Sequence, residues 1–328
     1  MSWERVQDWL ELLRATDVGD LNTGLSPQGN RAAWSAALDA LSPEVLVQVS
    51  AVPGTPYDTA AFVAAATVFT APLEWLAVLL GRGATVGLKP PSAAPDAAEL
   101  LARSAARVGL PLSVVDRDHA LQHELIVAMG GDDTMAALRA TVPATSRLLD
   151  HGHRFSVAWL TELASVDALA DDVALYDTRG CFSPQLVLTP ISGPVVAEAI
   201  ADALCRAGER LPVGEIAPSE AARLRARGAL ARVLGRELRG EGYSVHLLPA
   251  DRLRPDGLPR SVALAQVADF AAAQQVLAPW VGTISTFGTD DASAAFPADR
   301  TAALGQMQRP PVLRVHDGRD WLRATLRP

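Results

Sequence analysis

The sequence predicts an α/β fold built on parallel sheets, and three observations predict it. Short apolar runs recur along the chain, continuous instead of alternating, as strands covered on both faces require. Amphipathic stretches at helical spacing lie between them. The composition supports a large core, since 49% of the 328 residues are hydrophobic and 20% are charged. A chain of this length holds one large or two ordinary domains.

The elements are read in order. Residues 3–14 and 30–41 place apolar side chains three and four apart and are expected to be amphipathic helices. From residue 44 the texture changes to runs that read as strands: 46–52, 62–69, 84–89, 112–116, 124–130 and 155–160. Helices are expected between them at 72–80 and 94–109. The pattern then repeats with a strand at 185–190, a helix at 194–208, an Arg-rich helix at 219–240 and strands at 243–249 and 261–267. Arginines 223, 225, 227, 232, 236 and 239 alternate with Leu, Ala and Val, the pattern of a solvated amphipathic face. Residues 286–298, TFGTDDASAAFPA, are the most linker-like segment.

Charge and cysteine usage exclude several classes. A formal net charge of −8 argues against a general nucleic-acid binder. Two cysteines, Cys181 and Cys205, make no disulfide framework and fit a reducing, cytoplasmic setting. The N-terminus is charged from Glu4 onward and lacks a signal-peptide apolar region. Residues 60–81 are long and apolar, but Pro72 and Glu74 near the middle favour a buried strand, turn and helix over a membrane span. No metal site is expected: His119 and His123 are four apart without a third ligand, and His151-Gly-His153 reads as a turn. There is no Walker loop and no G-x-G-x-x-G, so any nucleotide must be held otherwise.

Three segments could carry chemistry. ATVGLKPPS ends a strand at Lys89 and Ser92, and a lysine at the carboxyl end of a parallel strand points into the crevice where such sheets bind ligands. A strand-end lysine that merely reaches solvent is the equal alternative. In IVAMGGDDT, Gly130 and Gly131 permit close backbone approach before a helix N-terminus that favours an anion, although Asp132 and Asp133 would compete with one and could simply cap the helix. In YDTRGCFSPQ, Cys181 follows a glycine, precedes a Ser-Pro turn and has Arg179 nearby as a source of positive field, the setting of a reactive thiolate, with a small hydrophobe that sits in a loop as the alternative. Cys205 lies at helical spacing with Ala201 and Leu204 and is expected to pack in the core.

The order of these segments resembles the aldehyde dehydrogenase superfamily, and within it the LuxC-type acyl-CoA reductases. MGGDDTMAALR, DHGHRFSVAWL, YDTRGCFSPQ and the terminal ALGQMQRPPVLRVHDGRDWLRA carry the likeness, which extends over most of the chain from about residue 60. The resemblance implies an aldehyde-dehydrogenase-like α/β fold: N-terminal helices and a Rossmann-like cofactor domain over 1–165, a catalytic α/β domain over 166–300, and a tail over 301–328 that packs back on the core. It implies Cys181 as the nucleophile, Lys89 and Ser92 at the adenosine ribose or 2′-phosphate, and Gly130-Gly131 against the pyrophosphate or nicotinamide. The cofactor implied is NADPH, with NADH as the alternative. The partners implied are an acyl thioester substrate, an acyl-transferring protein and further copies of the chain.

Two departures from the family pattern bear on function. Aldehyde-oxidising members activate water with a glutamate upstream of the cysteine, where this chain has Leu149 beside Asp150. Losing that base suits a reductase. The family also places an asparagine in the oxyanion hole, and the best match here is Thr70 in VFTAPLEW. The chain also has fewer residues before Lys89 than the superfamily commonly carries, so a reduced tunnel wall or subunit interface is expected. The sequence therefore points to reduction of an acyl thioester to an aldehyde through an acyl-Cys181 intermediate. Aldehyde oxidation, or a non-catalytic acyl-binding or assembly subunit of the same fold, are the alternatives.

Overall fold

The computed structural model describes residues 2–91 and 94–328, so Ser92 lies outside the described residues. The chain forms two compact units. One comprises residues 1–23, 30–153 and 311–328, and the other residues 24–29 and 154–310.

The first unit opens with helices α1 (Ser2–Arg14), α2 (Pro27–Asp39), of which residues 30–39 belong to this unit, and α3 (Pro43–Ser50). Strands and helices then alternate: β1 (Thr59–Val63), α4 (Pro72–Gly81), β2 (Thr85–Lys89), α5 (Asp96–Arg107), β3 (Leu112–Val114), α6 (Arg117–Ala120), β4 (Leu125–Met129), α7 (Asp132–Arg139) and β5 (Arg147–His151). The five strands form one sheet in the order β3-β2-β1-β4-β5, with every pairing parallel. Alternate residues serve opposite faces. Ala60 and Phe62 join the core under α1, α4 and α5, whereas Ala61 and Val63 join Ala120, Met135 and Leu138 on the other side. Burial on both faces explains why these strands read as unbroken apolar runs.

The second unit is built the same way from β6 (Phe155–Trp159), α8 (Val166–Ala174), β7 (Pro184–Thr189), α9 (Gly193–Arg210), α10 (Pro218–Leu234), β8 (Arg236–Gly240), β9 (Tyr243–Leu247), β10 (Ser261–Gln266), α11 (Phe270–Leu277), β11 (Ile284–Thr289) and β12 (Arg300–Ala303). Its seven-stranded sheet runs β12-β11-β6-β7-β10-β9-β8, and only the β8–β9 pairing is antiparallel. One face is covered by α8 and α9, and the other by α10 and α11. The chain then returns to the first unit with a hairpin, β13 (Val315–His316) and β14 (Arg319–Asp320), and a short helix, α12 (Trp321–Ala324).

Four sequence expectations need correction, and one strand was missed. The strand expected at 62–69 is β1, which ends at Val63 and leaves 64–69 in the connection to α4. The strand expected at 46–52 is helix α3: Ser42 accepts the Val45 N–H at 3.3 Å, Pro43 occupies the first turn, and Leu46 and Val49 are buried three residues apart. These start signals outweigh the β-branched content. The Arg-rich helix stops at Leu234, and residues 236–240 pair with β9 as an edge strand. Gly235 makes that turn, because a Cβ there would lie 2.1 Å from the Leu247 carbonyl oxygen. The segment 286–298 begins as the fully buried strand β11 and becomes a loop only after Thr289. Strand β5 had no counterpart in the sequence reading; its RLLDH is too short and too polar to stand out. The apolar stretch 60–81 is β1 and α4, and among the described residues no helix is long and apolar enough to cross a membrane.

Candidate active site

In the first unit, Lys89, Gly130 and Thr70 lie at or beyond the carboxyl ends of three neighbouring strands. Lys89 ends β2, Gly130 follows β4, and Thr70 lies in the connection from β1 to α4. Since β2 and β4 flank β1, one edge of the sheet gathers all three, the edge where doubly wound sheets bind ligands. Lys89 is half-buried, and among the described residues its ammonium makes no hydrogen bond or ion pair. Beside it lies an apolar depression lined by Ala64, Phe69, Leu88, Pro91, Ala94 and Ala98, among others.

The Gly130-Gly131 turn is fixed from its neighbour strand, with the Gly130 N–H on the His151 carbonyl at 3.2 Å. Gly131 caps α7 in extended backbone, and a Cβ on it would meet only open space. Asp132 does not simply face a ligand there; its Oδ1 accepts the His153 N–H at 2.9 Å and closes the turn. Thr70 is 4% exposed, and its carbonyl accepts the Leu73 N–H at the start of α4.

Where a hydrolytic glutamate was sought, Leu149 is 3% exposed in the core and Asp150 takes Arg139 Nε at 2.6 Å. No water-activating carboxylate is available at either position. The tail adds a polar cluster that the sequence reading missed. His151 Nδ1 lies 2.5 Å from Asp317 Oδ2, the rings of His151 and His316 are 4.6 Å apart, and both pack on Trp75. His151 thus belongs to a strand, not to the turn expected from His-Gly-His. These two imidazoles and Asp317 offer donors within 4.8 Å of one another. The His151–Asp317 separation is that of a hydrogen bond, too short for both to ligate one ion through bonds of about 2 Å. Arg314 completes the cluster by pairing with Glu74 at 2.5 Å; burial alone would push Glu74 up, but the guanidinium holds it below the ordinary carboxylate value.

In the second unit, Cys181 sits half-buried on the connection from α8 to β7. The backbone before it is unusual. Asp177 and Thr178 have φ of 49° and 61°, and Arg260 opposite has 44°. Left-handed backbone at a non-glycine residue costs roughly 1–2 kcal/mol and persists only where its surroundings enforce it. Here a buried ion pair enforces it. Arg260 Nε donates to Asp177 Oδ1 at 2.5 Å, the Arg260 N–H donates to the Asp177 carbonyl at 3.2 Å, and the Gly214 N–H donates to Asp177 Oδ2 at 2.9 Å.

Beyond that turn, the Ser183 N–H reaches the Gly180 carbonyl at 3.1 Å, so Cys181 lies inside a tight turn. Ser156 Oγ donates to the Cys181 carbonyl at 2.7 Å, and Gln308 Nε2 donates to Ser183 Oγ. Arg300 lies 5.4 Å over the Phe182 ring. Arg179, expected as the cysteine's positive field, is directed elsewhere, with its guanidinium on the Gly24 carbonyl at 3.0 Å and on Glu220 at 3.2 Å. Cys205 is exposed on α9, outside the inward stripe of Ile200, Ala201, Leu204 and Ala207, so the expectation of core packing is corrected.

Residues 63–326 match a family described as acyl-CoA reductase (LuxC). No curated protein matches the chain. Among solved structures, aldehyde dehydrogenase 21 from Physcomitrella patens is similar with a TM-score of 0.75 at 14% identity, covering 97% of this chain and 82% of that one. The NADP-dependent glyceraldehyde-3-phosphate dehydrogenase from Bacillus halodurans C-125 gives 0.75 at 12% identity, with 97% and 81% covered. Methylmalonate-semialdehyde dehydrogenase from Oceanimonas doudoroffii gives 0.73 at 13% identity, with 96% and 78% covered. At such identities the likeness establishes the fold, which is that of the aldehyde dehydrogenases.

Proposed function

Because the chain belongs to the acyl-CoA reductase (LuxC) family, we propose that it reduces an acyl thioester, carried on coenzyme A or on a carrier protein, to an aldehyde with NADPH through an acyl-Cys181 intermediate. The observation that carries this reading is the setting of Cys181, a half-buried thiol on a turn whose approach is held in left-handed backbone by a buried ion pair. Strain of this kind, enforced from the interior, is what a fixed reacting group requires.

The residues of the first unit fit a nicotinamide dinucleotide. The apolar depression beside Lys89 suits a flat base, and the Lys89 ammonium suits a ribose hydroxyl or a 2′-phosphate. Gly131, with open space where a side chain would stand, suits close approach of a pyrophosphate or nicotinamide to the α7 N-terminus. Ser92 is assigned with Lys89 to the same end of the cofactor. When bound, NADPH supplies the hydride.

The rest of the chemistry belongs to the protein. Cys181 thiolate attacks the thioester carbonyl, the carrier thiol leaves with the electron pair of the broken C–S bond, and the acyl group remains on sulfur. After reduction, the thiohemiacetal on Cys181 breaks its C–S bond, releasing aldehyde and regenerating the thiolate. Both tetrahedral species carry oxygen charge, and we assign the Cys181 backbone N–H as one donor to it. Replacement of the upstream glutamate by Leu149 protects the acyl group from hydrolysis.

The test is consumption of NADPH with an acyl-CoA series by wild type and Cys181→Ala. Aldehyde production that falls to background in the variant supports the reading, and undiminished production refutes it. Incubation with aldehyde and NADP without coenzyme A distinguishes oxidation, which is expected to yield no acid.

A further inference from the structure

We propose that Ser156 and Gln308 are positioning residues for Cys181, one holding the turn at the nucleophile and the other just beyond it; this rests on the reading of Cys181 as the nucleophile. Ser156 is wholly buried in the otherwise apolar strand β6, and Gln308 is 6% exposed. Such groups are costly to bury in an apolar interior unless they are hydrogen-bonded. Both spend their bonds on the cysteine turn. Ser156 Oγ accepts the Thr286 N–H at 3.0 Å and donates its own O–H to the Cys181 carbonyl at 2.7 Å, which fixes the plane of the 181–182 peptide. Gln308 Nε2 spans from the Asp172 carbonyl at 2.9 Å to Ser183 Oγ, two residues beyond the thiol.

The scaffold is shaped around these two contacts. The pairing of β6 shifts register on both sides, between Ser156 and Val157 against β7 and between Ile284 and Phe287 against β11. An irregular ladder leaves the Thr286 N–H to a side chain, and bulges of this kind re-aim groups beside active sites. On the other side, the Asp172 carboxylate gathers the N–H groups of Gly305 at 2.6 Å, Met307 at 3.0 Å and Gln308 at 3.4 Å, and so seats the segment that presents Gln308. With the Asp177–Arg260 pair upstream, the turn is held at its approach, at the nucleophile and beyond it. The folded scaffold meets the entropy cost of fixing this backbone before substrate arrives.

The experiment measures kcat and KM for acyl-CoA reduction, together with the pH profile of Cys181 alkylation by iodoacetamide, in Ser156→Ala and in the near-isosteric Gln308→Met. Each is expected to lower kcat about 10- to 100-fold, as a small misplacement of a reacting group does, with KM within about threefold of wild type. The alkylation profile should move along the pH axis, a change that a merely structural defect would not produce in a folded variant. Ser156→Thr, which keeps the hydroxyl, should restore kcat. Wild-type kcat and alkylation profile in both variants, with Cys181→Ala inactive, would overturn the inference alone. Activity retained in Cys181→Ala would instead remove the reading beneath it. Because the two contacts are separate, either variant decides the matter should the other fail to fold.

Discussion

At the scale of single residues, the turn before Cys181 is held by one ion pair that solvent scarcely reaches, with side chains 3% and 1% exposed. Removing one partner of such a pair strands the other as a buried charge, at about 3–5 kcal/mol. Arg260→Met should therefore lower stability by that amount, read as a fall in the urea midpoint at constant slope. Thr178→Gly acts oppositely, since glycine relieves the left-handed strain, and stability should stay within about 1 kcal/mol of wild type. Equal losses in the two variants would show that the strain is not enforced by the pair. None of this was legible beforehand. YDTRGC gives no signal of positive φ, and Arg260, distant in sequence, carries no motif. The cysteine itself was visible because Gly, Ser and Pro around it mark a turn.

At the scale of elements, the C-terminal hairpin and α12 dock on α4 and β5 through Trp321, the Glu74–Arg314 pair and the two imidazoles. Burial, with Arg314 and His151 alongside, pushes His316 down to about 3 from an ordinary 6.5. The unfolded chain binds this proton as pH falls through 6.5, whereas the folded chain does so only near 3, so stability drains across that window as acid is added. The loss is on the order of a few kcal/mol. His316→Gln should remove this part of the acid slope, compared with wild type by urea unfolding at neutral and mildly acid pH; parallel slopes would contradict the assignment. The subtraction matters because Asp172 works in reverse. Burial raises it to about 7 against its backbone donors, so its contribution is full below about 4 and is lost as pH rises toward 7. The docking cluster escaped the sequence reading because its members are far apart in the chain: Glu74, His151 and the run from Arg314 to Asp317. The misread helix α3 has a different cause, for there β-branched residues favoured a strand while Ser42 and Pro43 had already set a helix start.

At the scale of the whole molecule, the fold class was legible because both sheets are buried on two faces, which writes the strands as continuous apolar runs. The grouping of Lys89, Thr70 and Gly130 on one sheet edge follows from strand order, and strand order is not readable from one sequence. What the sequence did show was their residue types at strand ends, together with the family likeness that the match over residues 63–326 bears out. A covalent acyl-enzyme at Cys181 does not depend on cofactor identity and is tested without cofactor. Wild-type protein is incubated with an acyl-CoA and no reductant, denatured, and its intact and peptide masses measured. An acyl adduct confined to Cys181, discharged as aldehyde when NADPH is added before denaturation and absent from Cys181→Ala, is the expected result. An unmodified Cys181 in protein that nonetheless reduces the same acyl-CoA would contradict the account.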